Sequence, residues 1–231
     1  MDFTFGIITG GGAEEYIKKT ILSIEAQQIE NYEIIVVGKC ELNEKNLKVV
    51  EFDESIKNKW ITKKKNIITN LSNYENIVYM HDYIYFLDEW YAGQKKSGSD
   101  FEIRMDKIFN FNGERFRDWC IWPLNNNSMD QFIGKDCLIP YDIDFLTKYM
   151  YISGSYWISK KFVMEKFPLN EGLCWGEGED VEWSKRIRDK VLFKMNVNSS
   201  VQIMKPGKDK AFNEPSEDKI QTLKNKNLWL N

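Results

Sequence analysis

Apolar residues gather in short, separated runs along this chain, and the spacing within each run predicts alternating strands and helices. Phe3 to Ile8 is a compact apolar run broken by Thr9-Gly10-Gly11-Gly12. From Ala13 to Ala26, Tyr16, Ile17, Ile21, Leu22 and Ile24 then recur at helical spacing. That is strand, tight loop, helix. Tyr32 to Val37 predicts a buried strand ending at Gly38, and Leu47 to Phe52 predicts another. A helix is expected over Thr62 to Leu71, followed by a fourth strand, Ile77 to Met80, that runs directly into His81-Asp82-Tyr83. Strands separated by helices imply a parallel sheet with right-handed crossovers, hence an α/β fold with helices flanking a mainly parallel sheet.

The alternation fails from Gln94 to Pro140, a stretch rich in Gly, Asn, Ser and charge that predicts long loops and short strands. Order returns at Met150 to Ser159. A helix near Lys160 to Lys166, a Gly-rich loop at Gly172 to Gly178 and a helix from about Asp180 to Lys190 are expected next. After Pro206 the chain is polar and lysine-rich until Leu228-Trp229-Leu230. No repeat, low-complexity tract or linker divides the 231 residues, a length that suits one domain.

Charge and composition narrow the function classes. A net charge of -3 argues against a general nucleic-acid binder, which needs a basic surface to displace counterions from phosphates. Every apolar run falls well short of the roughly 20 residues of a membrane helix, and Met1-Asp2-Phe3-Thr4 lacks the basic and apolar regions of a secretory signal. A cytoplasmic protein without a transmembrane segment is therefore expected, with room for peripheral membrane contact. Cys40, Cys120, Cys137 and Cys174 are widely separated, so reduced thiols are expected rather than disulfides or a zinc site. The aromatic share is 14%, and Trp90, Trp119, Trp122, Trp157, Trp175 and Trp183 all follow residue 79. Such rings suit either the apolar faces of sugars or an ordinary core.

Ligands of parallel α/β sheets bind beyond the carboxyl ends of the strands, which directs attention to three loops. In Thr9-Gly10-Gly11-Gly12 the missing side chains let backbone N–H groups approach a nucleotide, or simply make a turn. The spacing fits neither G-x-G-x-x-G nor the P-loop pattern. His81-Asp82 places an imidazole and a carboxylate in a run that continues into Tyr83-Ile84-Tyr85-Phe86-Leu87. Polar groups there need partners, such as a divalent cation on a diphosphate with Asp82 and His81 as ligands, or a satisfied core edge. In Trp175-Gly176-Glu177-Gly178-Glu179-Asp180-Val181-Glu182-Trp183, four carboxylates fall within six residues. Mutual repulsion raises at least one carboxyl pKa, as a general base requires, whereas an acid-rich helix start capped by Asp180 accounts for the same residues structurally.

Taken together, these loops resemble the inverting family 2 glycosyltransferases and their GT-A relatives. Ile7-Ile8-Thr9 with the helix through Thr20-Ile21-Leu22-Ser23-Ile24 is similar to their first strand and helix, and Tyr32 to Val37 to their second strand. Lys64-Lys65-Asn66 stands where the family commonly has Ala-Arg-Asn, His81-Asp82-Tyr83 where it has Asp-x-Asp, and Glu179-Asp180 where it has its Glu-Asp pair. Trp-Gly-x-Gly-Glu-Asp is also similar to β-galactosyltransferases. Two departures stand out. Gly38-Lys39-Cys40-Glu41 replaces the usual Asp after the second strand, and no later His offers a third metal ligand.

The resemblance implies a single GT-A, Rossmann-like domain, with residues 1–90 or so holding a nucleotide-sugar, 91–205 shaping the acceptor pocket and 206–231 forming a tail. It implies transfer of a sugar from a donor, a UDP-sugar by preference, to a hydroxyl of a glycan or glycoconjugate acceptor with inversion, in the manner of a hexosyltransferase. Asp180 would be the catalytic base and Glu179 its companion. Thr9, Gly10, Gly11, Lys65, Asn66, His81 and Asp82 would bind the donor, the last two through Mn2+ or Mg2+. Trp175, Gly176, Trp183, Arg115 and Arg117 would bind the acceptor, although the two arginines suit a buried salt-bridge network equally well. A non-catalytic GT-A-like binder of nucleotides or glycans and a sugar-nucleotide pyrophosphorylase are the competing readings.

Overall fold

The computed structural model describes residues 1–121, 137–143, 150–207, 212 and 214–225, so that Trp122 and Leu228-Trp229-Leu230 lie outside the described residues. The apolar run at the start forms β1 (Phe3–Ile8), every residue of which is buried. It lies between β2 (Tyr32–Val37) and β4 (Asn76–His81) and parallel to both. β3 (Leu47–Val50) extends the parallel set beyond β2. The connecting helices α1 (Glu14–Glu25) and α2 (Ile61–Leu71) turn their apolar stripes, including Ile17, Ile21 and Ile24 on α1 and Ile61 and Ile68 on α2, into the core.

The second half adds β5 (Ile84–Phe86), α3 (Trp90–Ser97), β6 (Ile103–Phe109), β7 (Cys120–Ile121), β8 (Cys137–Leu138), β9 (Met150–Tyr151) and β10 (Tyr156–Lys160). α4 (Lys161–Lys166), α5 (Glu179–Ile187), β11 (Phe193–Ile203) and α6 (Glu217–Asn225) complete it. Eight strands share one sheet in the order β3-β2-β1-β4-β10-β6-β11-β5, and β8-β7-β9 form a smaller one. β10 runs antiparallel between β4 and β6, while β6 and β11 pair in parallel. The sheet is thus mainly parallel, as the sequence predicts for an α/β fold.

Two strands go beyond the sequence expectation: β6 is longer than the short strands expected between Gln94 and Pro140, and β11 lies after Lys190, where the sequence predicts no element. β6 reads Ile-Arg-Met-Asp-Lys-Ile-Phe and β11 reads Phe-Lys-Met-Asn-Val-Asn-Ser-Ser-Val-Gln-Ile, and their charges and amides hide the strand alternation. Those polar groups are buried because they satisfy one another. Asp106 accepts from Trp90 Nε1 at 2.9 Å, Gln94 Nε2 at 2.7 Å and Asn196 Nδ2 at 2.9 Å, and also from the Tyr156 hydroxyl. Arg104 donates to Gln94 Oε1 at 3.1 Å and to the Gly98 carbonyl at 2.8 Å. Around this hub the Trp90 ring meets Phe86 edge-on at 4.9 Å and lies tilted 5.2 Å from Phe3, and such pairs add about 0.5–1.5 kcal/mol each to area burial.

The hub makes a stability prediction. Asp106→Ala removes an acceptor shared by four buried donors, of which Trp90 Nε1 and Asn196 Nδ2 keep a second partner, so the free energy of unfolding should fall by about 3 kcal/mol. A urea transition at the wild-type midpoint in that variant would show that Asp106 does not hold β6, β10, β11 and α3 together.

Candidate active site

The order of the sheet reverses at β1: β2 and β3 lie on one side, β4 and the rest on the other. A crevice opens beyond the carboxyl ends of the strands at such a switch point. Because Ile8 and His81 are register partners, the residues that follow them, Thr9 and Asp82, face one another across its mouth. The Thr9 backbone is clamped there, its N–H donating to Val37 O at 3.1 Å and its carbonyl accepting from Lys64 Nζ at 2.6 Å.

Two adjoining cavities occupy the crevice. One, of about 490 Å³, is walled by Thr9, Gly10, Lys59, Lys64, Asp82 and Lys205 among others. Its neighbour, of about 430 Å³, is walled by Arg117, Tyr151, Gly154, Gly176, Glu179 and Asp180 among others. His81, Tyr83 and Trp175 border both. The His81 ring stacks on Tyr83 at 5.2 Å, and Trp175, 47% exposed, carries Lys59 Nζ 5.0 Å above its face.

The carboxylates of the second cavity sit at the start of α5, whose cap residue Gly178 has φ 74°, a left-handed conformation that costs glycine nothing. Asp180 Oδ2 accepts from the Tyr151 hydroxyl at 2.7 Å and from the Gly154 N–H at 2.9 Å. Only glycine permits this approach, because a Cβ at position 154 would stand 2.8 Å from that same oxygen. Burial, and then the charge of Asp180, push the Glu179 carboxyl above its ordinary value, while its own N–H, Lys65 and the Gly176 N–H oppose the rise. Burial also raises Asp82, against the pull of the Thr9 hydroxyl, Lys205 and Lys64.

The expected site residues divide into those that border the crevice and those that support it. Thr9, Gly10, His81, Asp82, Trp175, Gly176, Glu179, Asp180 and Arg117 border it. Gly11 stands behind the loop, its N–H donating to Thr9 Oγ1 at 3.1 Å. Lys65 is fully buried; its Nζ donates to the Gly154 carbonyl at 2.7 Å and lies 4.2 Å above Trp157, beneath the carboxylate pair rather than in the cavity of Thr9 and Asp82. Asn66 donates to the Leu169 carbonyl and to Glu171 Oε1 and accepts from the Leu169 N–H. Together with Trp60 and Thr62, which donate to the Glu171 and Leu173 carbonyls, it staples the loop before α5 onto α2. Trp183 is core, its Nε1 bonded to Phe167 O at 2.7 Å. Arg115 is committed to a structural network, donating to Asp118 Oδ1 at 2.9 Å and to Ile139 O at 2.7 Å.

Several wall residues were missed in the sequence: Lys64, Lys59, Lys205 and Glu54. Lys64 had a signal in the Lys63-Lys64-Lys65 triplet, but only the helix phase decides which lysine reaches the crevice. Lys205 had none. Among the described residues, no group of three His, Cys, Asp or Glu side chains stands together as a metal site, and no helix is long and apolar enough to cross a membrane.

No family model matches this chain, and no curated protein matches it significantly. Solved structures do match. The S. aureus TarS 1-349 fragment in complex with UDP-GlcNAc aligns at TM-score 0.54 and 15% identity, over 96% of this chain and 61% of that one. GalNAc-T7 with UDP, GalNAc and Mn2+ aligns at TM-score 0.60 and 14% identity, over 88% of this chain and 44% of that one. An inositol-1-phosphate CTP transferase from T. maritima aligns at 0.53 and 14%, over 96% of both chains. The chain therefore spans less than two thirds of the TarS and GalNAc-T7 structures it matches. At these identities the likeness speaks for the architecture, and the chain has the GT-A-type fold.

Proposed function

We propose that this protein is an inverting glycosyltransferase that moves a sugar from a UDP-sugar to an acceptor hydroxyl. The observation that carries the reading is the pair of adjoining cavities, one lined by a glycine loop and lysines, the other by two carboxylates, meeting at His81, Tyr83 and Trp175. A nucleoside diphosphate suits the first, since ammonium groups and a side-chain-free loop favour phosphate oxygens. A sugar acceptor suits the second, where Trp175 offers an apolar face and Arg117 and the carboxylates offer hydrogen bonds. The TarS and GalNAc-T7 structures contain UDP-GlcNAc and UDP respectively, which favours uridine as the base. On this reading the wall of the donor cavity comes mostly from residues 1–90, with Trp175 and Lys205 contributed by the second half of the chain.

In this mechanism the acceptor hydroxyl approaches the anomeric carbon from the side of Asp180 and passes its proton to that carboxylate as the new bond forms. The Tyr151 hydroxyl and the Gly154 N–H fix the carboxylate, so little reorganisation is needed at the moment of reaction. The bond to the diphosphate breaks on the opposite face, and the leaving group remains in the lysine-lined cavity. Mn2+ accompanies UDP in the GalNAc-T7 structure, but the side chains here fit a divalent cation poorly. Such ions take several oxygen ligands. Among the described residues this cavity offers two carboxylates, Asp82, which faces Lys205 and Lys64, and Glu54, which is ion-paired to Lys64, beside the single imidazole of His81.

Nucleotidyl transfer is a second reading, favoured by the match over 96% of both chains to the T. maritima CTP transferase. Product analysis separates the two: glycosyl transfer releases a nucleoside diphosphate, whereas nucleotidyl transfer from a triphosphate releases pyrophosphate.

Two predictions follow from the placement of Asp180 and Lys65. Asp180→Asn keeps the shape and removes the base, so turnover should fall by about 10²- to 10⁴-fold with UDP affinity unchanged. The wild-type product should carry the inverted anomeric configuration. Full activity in the variant, or retained configuration, overturns this role.

Burial depresses Lys65 from 10.5 to about 8, against the opposing pull of Glu179 and Asp180. Between those values the unfolded chain binds a proton that the folded chain has released, so this group's contribution to stability rises with pH across the window. Urea midpoints of wild type should therefore gain on those of Lys65→Met as pH climbs from about 8 to 10.5. A constant difference between the two proteins would mean that Lys65 titrates normally.

A further inference from the structure

The donor cavity brings three lysines to its wall from two distant parts of the chain: Lys59 and Lys64, just before and on α2, and Lys205, just after β11. Lys64 is held in place, 2% exposed, by the Thr9 carbonyl and an ion pair to Glu54. Lys205 is exposed but its backbone is anchored, because the neighbouring Met204 N–H donates to Tyr83 O at 2.8 Å and so ties the end of β11 to the turn that carries Asp82. Both ammonium groups act on the Asp82 carboxylate. Of the acids on the wall, Asp82 and Glu54, each already has a lysine opposite it. A divalent cation entering here would meet ammonium groups at short range and find its oxygen ligands engaged. A diphosphate meets the reverse situation, since its oxygens can replace or join those carboxylates as acceptors of charge-assisted hydrogen bonds.

Resting on the reading of this cavity as the donor site, we propose that Lys205 and Lys64 hold the donor's diphosphate and offset the charge that develops on it as it leaves, in place of a divalent cation. Lys64 is the fixed element, placed by α2 at the base of the Thr9 loop. Lys205 is the adjustable one, an exposed side chain on an anchored backbone that can close over the phosphates from the β11 side. Asp82 then serves to hold both ammonium groups toward the crevice while it is empty.

The test is calorimetric titration of UDP, with CDP and GDP alongside, into the full chain in EDTA and again in Mn2+. UDP should bind with the same affinity in both buffers. Lys205→Ala, an exposed substitution that leaves the core untouched, should weaken binding by about 10-fold or more in EDTA, the loss of one charge-assisted hydrogen bond, and Lys205→Arg should restore it. Turnover should likewise persist in EDTA. Binding that appears only with Mn2+ overturns the proposal. So does EDTA-resistant binding that Lys205→Ala leaves intact. If none of the three nucleotides binds in either buffer, the donor-site reading fails with it, a result distinguishable from the other two.

Discussion

The parallel pairing of β1 with β2 on one side and β4 on the other is the constraint on which the rest depends. Backbone hydrogen bonding sets the register of Ile8 against Val37 and His81, so the loop at Thr9 and the turn at Asp82 emerge side by side. Neither could move by one residue without turning a buried strand inside out. The crevice is thus a by-product of strand order, and its rim inherits the rigidity of a buried sheet.

α2 converts that rim into a site. Lys64, Lys65 and Asn66 are consecutive, and successive helical residues point about 100° apart. The first reaches the Thr9 carbonyl, the second the Gly154 carbonyl under the carboxylates, and the third the loop that leads into α5. One turn of helix therefore touches the cavity of Thr9 and Asp82, the floor of the carboxylate pair and the staple that holds the acidic loop. All three side chains are buried, so the cost of desolvating two lysines is tolerated in a segment that joins every part of the crevice.

The far half of the sheet depends on a different principle. Asp106 and Arg104 sit on a central strand only because Trp90, Gln94, Tyr156 and Asn196 satisfy them. Such a buried network favours one arrangement of its members, since any other leaves more polar groups unpaired than the Arg104 Nε that has no hydrogen-bond partner here. It aligns β11 with β6 and so delivers Lys205, which follows β11, to the crevice, although Arg104 and Asp106 lie far from Lys205 in sequence.

The sequence by itself determined the βα units of the first half, because β1, β2, β4, α1 and α2 follow a clean apolar periodicity that burial enforces. It also marked the loops at Thr9, His81-Asp82 and Glu179-Asp180, since carboxylates and glycines at strand ends or a helix start conflict with simple core packing. Tertiary structure alone decided which neighbours of those motifs face the crevice. Lys64 rather than Lys65 borders the cavity of Thr9 and Asp82 because of helix phase, Trp183 turns into the core toward Phe167 O, and Arg115 turns into a partly buried network because Asp118 and Ile139 O accept from it there. β6 and β11 were illegible for the same reason: their polar residues find partners distant in sequence, and no local pattern records a hydrogen bond to a residue 90 positions away.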